Sequence, residues 1–190
     1  MKKDIILAGV GGQGILSIAT VIGDAAINEG LFIKQAEVHG MSQRGGDVQS
    51  NLRISSEPIA SDLIPKGGCD LIISMEPMEA LRYLPYLSKD GWIVTASEPF
   101  VNIPNYPEIE CIRQELSSLA HVISLDIDAI ARDAGNPRGA NIVLLGACAH
   151  LLGIPEEKLM DGIRRIFSRK GEDVVNANLY AFEAGRRSIS

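Results

Sequence analysis

The 190-residue sequence has only three cysteines, Cys69, Cys111 and Cys148. Their number is odd, their spacings are wide and none forms a C-x-x-C pair. That excludes the usual ligand spacings of ferredoxin clusters and zinc ribbons. Cys69 and Cys148 lie in apolar runs and read as small core residues, which fits a reducing, cytoplasmic setting. No apolar run reaches the roughly 18 residues that a membrane helix needs. The first residues enter an apolar strand with no small-residue cleavage site, so a signal peptide is not expected. Positive charge is scarce, with 18 Lys and Arg against 24 Asp and Glu and a net charge of −6. An acidic chain without a concentrated basic stretch excludes a nucleic-acid partner, because phosphate contacts need clustered cations. The one basic cluster is Arg164, Arg165, Arg169 and Lys170. It falls at the end of an expected helix, where cations complement the dipole. The sequence also lacks a nucleophile elbow, an H-E-x-x-H pair and a Walker A lysine.

What is present is the patterning of an α/β protein. Hydrophobic residues make up 46% of the chain and charged residues 22%, which excludes general disorder. Residues 3–9 form a short apolar run ending in glycine, as a buried strand does. Ile15, Ile18, Ala19, Ile22, Ala25 and Ala26 then recur on one helical face, and Gly30 is placed to end that helix. Residues 31–37 read as a second strand, so the first 37 residues predict a parallel, right-handed βαβ unit. Residues 47–55 alternate, as in a strand with one wetter face. A short return at 58–61 would make a hairpin appended to the sheet. The α/β rhythm resumes with strands at 69–75, 91–96 and 121–125 and helices at 78–87 and 126–134. Residues 97–108 carry Pro99, Pro104 and Pro107 and must be irregular. Residues 110–115 fit either an edge strand or the start of a helix to Leu119. From Asn141 onward the pattern is helical, with helices over 141–152, from Pro155 through Phe167, and over 172–187. The expectation is one Rossmann-like domain over 1–190, a mostly parallel sheet with an appended hairpin and a helical part from about 126.

Three segments carry candidate function. Gly9, Gly11 and Gly14 match G-x-G-x-x-G between a strand and a helix, with Gly12 and Gln13 inside the turn and Glu37 at the end of the second strand. Glycines there bring backbone N–H groups and a helix N-terminus close to a phosphate, and an acid at Glu37 can accept from ribose hydroxyls. The same glycines also serve plain strand–helix packing. The second segment, residues 37–47, holds His39, Ser42, Gln43, Arg44, Gly45 and Gly46. It lies where open α/β sheets bind ligands, past the carboxyl end of a strand. It reads either as an anion-binding loop centred on Arg44 or as a docking surface. No second titratable group supports His39 as a base. The third, residues 136–141, precedes the buried helix. Asn141 is a candidate N-cap, and Arg138 is either a ligand contact or a surface charge. The residues alone leave open an NAD(P)- or FAD-binding oxidoreductase and a docking module with an empty crevice.

"GVGGQG" on the first turn, "EVHGMSQRGG" after the second strand and "RGAN…LLGA" at 138–147 resemble the gamma-type subunit of the 2-oxoacid:ferredoxin oxidoreductases. The nearest counterpart is the beta subunit of the indolepyruvate branch, to which the "HGMSQRGG" form points. Gly9, Gly11, Gly12, Gln13 and Gly14 match the first motif, and Ser42, Arg44, Gly45 and Gly46 the second. The resemblance implies an accessory subunit without a catalytic residue or metal of its own. Thiamine diphosphate, magnesium and iron–sulfur clusters then belong to a large partner subunit. That complex oxidatively decarboxylates a 2-oxoacid, forms an acyl-CoA and passes electrons to ferredoxin, which this chain meets only indirectly. Coenzyme A or a facing subunit becomes the expected visitor to the glycine turn. Pyruvate and 2-oxoglutarate branches stay open as alternatives, as does self-association of the isolated chain.

Overall fold

A computed structural model describes residues 1–39 and 46–189, with His39 described by its backbone alone. The chain runs β1 (Lys2–Val10), α1 (Ile15–Asn28), β2 (Phe32–His39), β3 (Asp47–Ser55), β4 (Cys69–Ser74), α2 (Pro77–Arg82) and β5 (Leu87–Ala96). It continues with α3 (Ile109–Ser118), β6 (Val122–Leu125), α4 (Ile127–Asp133), α5 (Ala140–Cys148), α6 (Glu156–Phe167) and α7 (Glu172–Arg187). Six strands form one sheet in the order β2-β3-β1-β4-β5-β6. β1, β4, β5 and β6 are parallel neighbours. β3 runs against both β1 and β2.

β1 and β2 are therefore parallel but not paired. Leu52 of β3 sits opposite Ile5 of β1 on one side and Gln35 of β2 on the other. This corrects the expected adjacent βαβ unit. The hairpin next to the parallel strands is made by β2 with β3; residues 58–61 form no strand. Alternation identified the two faces of β3, but it carries no information on which strand lies beside it.

Period-2 side chains of β1 divide the core. Ile5 and Leu7 enter a large cluster with α1, α5, α6 and α7, which Leu71, Ile73 and Val94 join from neighbouring strands. Ile6 and Ala8 face the other way, with Ile72, Ile93, Ala80 and Tyr83. Buried on both faces, these strands read as continuous apolar runs, as parallel strands do. Residues 142–149 are all buried, which accounts for a helix apolar on nearly every side. α5 crosses α7 at very short range: a Cβ on Gly146 would collide with the Phe182 carbonyl, and one on Gly185 with the Val143 carbonyl. Residues 109–118 are helical, which resolves the strand-or-helix ambiguity at 110–115. The helix expected over 78–87 stops at Arg82 and gives way to a 3-10 turn at 84–86. The helix expected over 141–152 likewise ends as a 3-10 turn at 149–151.

Candidate functional site at the glycine turn

The carboxyl ends of β1 and β4 meet the N-terminus of α1, where doubly wound sheets place ligands. Gly14 precedes α1 with φ +83°, a conformation that side chains rarely adopt. α1 has no side-chain cap and no acid in its first turn, so its positive end is not neutralised locally. A cleft of about 490 Å³ opens beside it, lined by Gly11, Gly12, Gly14, Leu16, Glu37 and Val48. Strands β1, β2 and β3 thus all reach this cleft, as do the glycine turn and Glu37 predicted for it.

The turn is largely engaged by its own protein. Val10 N–H donates to Gln13 Oε1 at 2.7 Å, and Gln13 Nε2 donates to the Met75 carbonyl at 3.2 Å. The Gln13 carboxamide therefore bridges β1 to the end of β4. It also excludes a side chain at Gly9, whose Cβ would lie 2.8 Å from Gln13 Oε1. Gln13 N–H donates to the Val10 carbonyl at 3.1 Å, and Gly11 N–H to the Gly46 carbonyl at 2.8 Å. Two N–H groups of the turn are thereby directed to protein partners. The Gly11–Gly46 bond also joins the first glycine motif to the end of the second. Gly12 meets nothing within 4 Å and keeps φ +105°, so the backbone is open to an approaching group at that point.

Glu37 lies on β2 and accepts from Gln35 Nε2 at 2.8 Å. With β3 standing between β1 and β2, it is one strand further from the turn than the acid of an adjacent βαβ unit. Asn141 is not the N-cap of α5, which is Gly139. Its Nδ2 instead donates to the Gly14 carbonyl at 3.1 Å, and its Oδ1 accepts from Ile142 N–H at 3.0 Å. An asparagine two residues inside the helix can still accept from a first-turn N–H, here one shared with the Gly139 carbonyl, while reaching across to α1. Ser42, Gln43, Arg44, Gly45 and the His39 side chain lie outside the described residues.

Sequence reasoning missed a brace at the carboxyl end of β4. Glu76, fully buried after β4, caps α2 by accepting from Glu79 N–H at 2.8 Å. The same carboxylate accepts from Tyr106 Oη–H and from Phe100 N–H, holding the proline-containing loop 97–108 to the sheet. Burial pushes the Glu76 carboxyl above the usual carboxylate range, against the hydrogen bonds that lower it. Glu79, also buried, is held by a bidentate bond from Arg82 at 2.7 and 3.1 Å. The Glu76-Pro77 pair was a readable helix start, but Tyr106 stands 30 residues away and only the fold brings it in. Cys69 and Cys148 are buried as expected, and burial pushes the Cys69 thiol up to about 12. Among the described residues, no three His, Cys, Asp or Glu side chains converge as a metal-binding group.

A doubly wound sheet with a glycine turn defines a Rossmann-like unit. The chain belongs to the pyruvate ferredoxin/flavodoxin oxidoreductase family, which it matches over residues 4–188. It is 37% identical to the indolepyruvate oxidoreductase subunit IorB of Thermococcus kodakarensis, over 97% of this chain and 95% of that protein. It is 28% identical to the 2-oxoglutarate synthase subunit KorC of Methanocaldococcus jannaschii, over 97% of this chain and 92% of that one. Among solved structures it resembles the keto/oxoacid ferredoxin oxidoreductase gamma subunit of Geobacter sulfurreducens, with 26% identity, TM-score 0.73 and 98% of each chain covered. The 2-oxoglutarate:ferredoxin oxidoreductase of Magnetococcus marinus shares the fold, with TM-score 0.76 and 23% identity. There this chain corresponds to only 31% of a longer chain. The protein is thus a subunit of the 2-oxoacid:ferredoxin oxidoreductase family, homologous to IorB and to the small subunits of related enzymes.

Proposed function

We propose that this chain is the accessory subunit of an indolepyruvate-type, or more broadly aryl 2-oxoacid, ferredoxin oxidoreductase. The observation that carries the reading is the near full-length identity to IorB proteins, at 34–37% in four archaea. The complex oxidatively decarboxylates the 2-oxoacid to an acyl-CoA and reduces ferredoxin. Thiamine diphosphate and magnesium, bound in a large partner subunit, supply the decarboxylation chemistry, and iron–sulfur clusters there carry the electrons. The role of this chain is to dock, and to present the glycine-turn cleft to coenzyme A or to the facing subunit. Gly9, Gly11, Gly12, Gln13, Gly14, Glu37, His39, Ser42, Gln43, Arg44, Gly45, Gly46 and Asn141 are the residues to which that ligand- or partner-binding role is assigned. Three unpaired cysteines and no helix long and apolar enough to cross a membrane among the described residues support a cytoplasmic setting.

An independent NAD(P)- or FAD-dependent enzyme is disfavoured by the same turn. Gly11 and Gln13 donate to protein carbonyls, and β3 displaces Glu37 from the position of a ribose-binding acid. Co-expression with a thiamine-diphosphate and iron–sulfur subunit of this family tests the reading. Indolepyruvate-dependent reduction of a viologen dye is expected only when both chains are present. Equal activity without this chain overturns the proposal, and faster turnover of pyruvate or 2-oxoglutarate reassigns the branch.

A further inference from the structure

On the other side of the Gly14–Asn141 contact lies a second cleft, of about 470 Å³. It is walled by Ser17 of α1, Arg138 and Asn141 at the start of α5, Phe167 at the end of α6, Lys170 just beyond it, and Asp173 of α7. Of its lining, only Asn141 is shared with the glycine turn and the proposed docking role. Its size suits a small organic ligand, whose sites run from about 300 to 1,000 Å³.

The chemistry of the walls is specific. Arg138 is exposed and makes no ion pair among the described residues. Lys170 stands 5.3 Å from the centroid of the Phe167 ring, and no carboxylate holds it. Two cations with no carboxylate partner among the described residues, one of them a planar guanidinium, suit a phosphate group. Asn178, a polar side chain of α7, is only 7% exposed. Its Nδ2 donates to the Val174 carbonyl at 2.8 Å, which leaves Oδ1 as an acceptor on the cleft wall. Asp173 adds a second acceptor, one that repels a phosphate and suits a hydroxyl. Phe167 adds an aromatic side chain to the wall, with Lys170 over one face of its ring. Cations, hydroxyl acceptors and an aromatic wall together match the three parts of a nucleoside phosphate: phosphate, sugar and base.

We propose that the cleft between Arg138, Lys170 and Asp173 is a nucleoside-phosphate site, separate from the glycine-turn cleft. It stands whether or not the indolepyruvate reading does, because its test needs no partner subunit and no turnover. The 190-residue chain, isotopically labelled, is titrated with ADP, with inorganic phosphate and with NAD, and amide shifts are followed by NMR. Saturable ADP shifts are expected at residues 138–141 and 170–178. Phosphate alone should bind at least about tenfold more weakly, since it lacks the sugar and ring contacts. Arg138→Gln should weaken ADP binding about tenfold or more, the scale of one lost charge-assisted hydrogen bond. Lys170→Gln should act likewise, with the melting temperature of each variant showing that the fold persists. NAD is expected to shift the same residues through its ADP half. No saturable ADP binding overturns the proposal. Shifts confined to Gly9–Leu16 overturn it too, by moving the ligand to the glycine turn. Equal affinity for ADP and phosphate reduces the cleft to an anion patch and also overturns it.

Discussion

Two side chains at the sheet's carboxyl edge behave unlike their neighbours in sequence. Gln13 ties Val10 N–H to the Met75 carbonyl, so its removal leaves one donor and one acceptor in a part-buried place. Gln13→Ala should cost about 1–3 kcal/mol of stability in urea denaturation, the penalty for unsatisfied polar groups. A loss within experimental error would show that water replaces the carboxamide. Glu76 predicts a pH dependence. Its folded pKa is raised above the unfolded value of about 4.3. The folded state thus holds the proton more tightly. Stability from this group is fully present below the unfolded pKa and is lost as pH rises through the folded one. Glu76→Gln removes that loss. The stability of the variant relative to wild type should rise as pH increases above the unfolded value of about 4.3, measured by denaturation at several pH values. A relative stability that falls as pH rises would mean that hydrogen bonding, not desolvation, governs the group, and a constant difference that the two cancel.

Among the elements, the α5–α7 crossing is the least forgiving. Gly146 and Gly185 each press on the backbone of the opposite helix. Gly146→Ala should destabilise by about 1–3 kcal/mol or more through overpacking, although alanine is the better helix former. Thermal melts decide this: an unchanged or higher melting temperature would show that the helices slide apart cheaply. The contact was hidden in the sequence, where Gly146 was one small residue in a run apolar on all sides. What was legible followed periodicity. α7 has the expected bounds, 172–187, because acids open it, arginines close it and its stripe is regular. α1 ends at Asn28, and Gly30, two residues on, has the φ of +71° that suits a C′ glycine. Relations between elements were illegible. Nothing within residues 47–55 says that they insert beside β1, and nothing near Asn141 says that it reaches Gly14. The glycine turn could be located from its spacing, but its self-engagement through Gln13 became visible only with Met75 beside it.

The molecule as a whole carries a net charge of −6 and an isoelectric point near 5.1. It also has an edge strand, β2, on which Phe32 and Val38 are exposed. Edges of this kind favour association when charge no longer keeps copies apart. Light scattering of the isolated chain should therefore rise near its isoelectric point and fall again at neutral pH. Scattering independent of pH would assign association to a specific interface. The placement of β3 also sets the order of assembly. A parallel pair joined by a helix can form from one contiguous stretch of chain, but β1 and β2 here meet only through a strand that follows both. β1 and β3 pair over nine positions, from Lys2 with Ser55 to Val10 with Asp47. The earliest-made strand waits for one made some 45 residues later, and closing such distant contacts slows folding. Leu52, buried at the centre of β3, should be part of the rate-limiting step. Leu52→Ala should cost about 2–5 kcal/mol and slow refolding in stopped-flow kinetics; an effect confined to unfolding would place the insertion after the barrier. A nascent chain that has emerged only as far as β2 holds two strands with nothing between them, and the N-terminal half of the sheet forms only once β3 arrives.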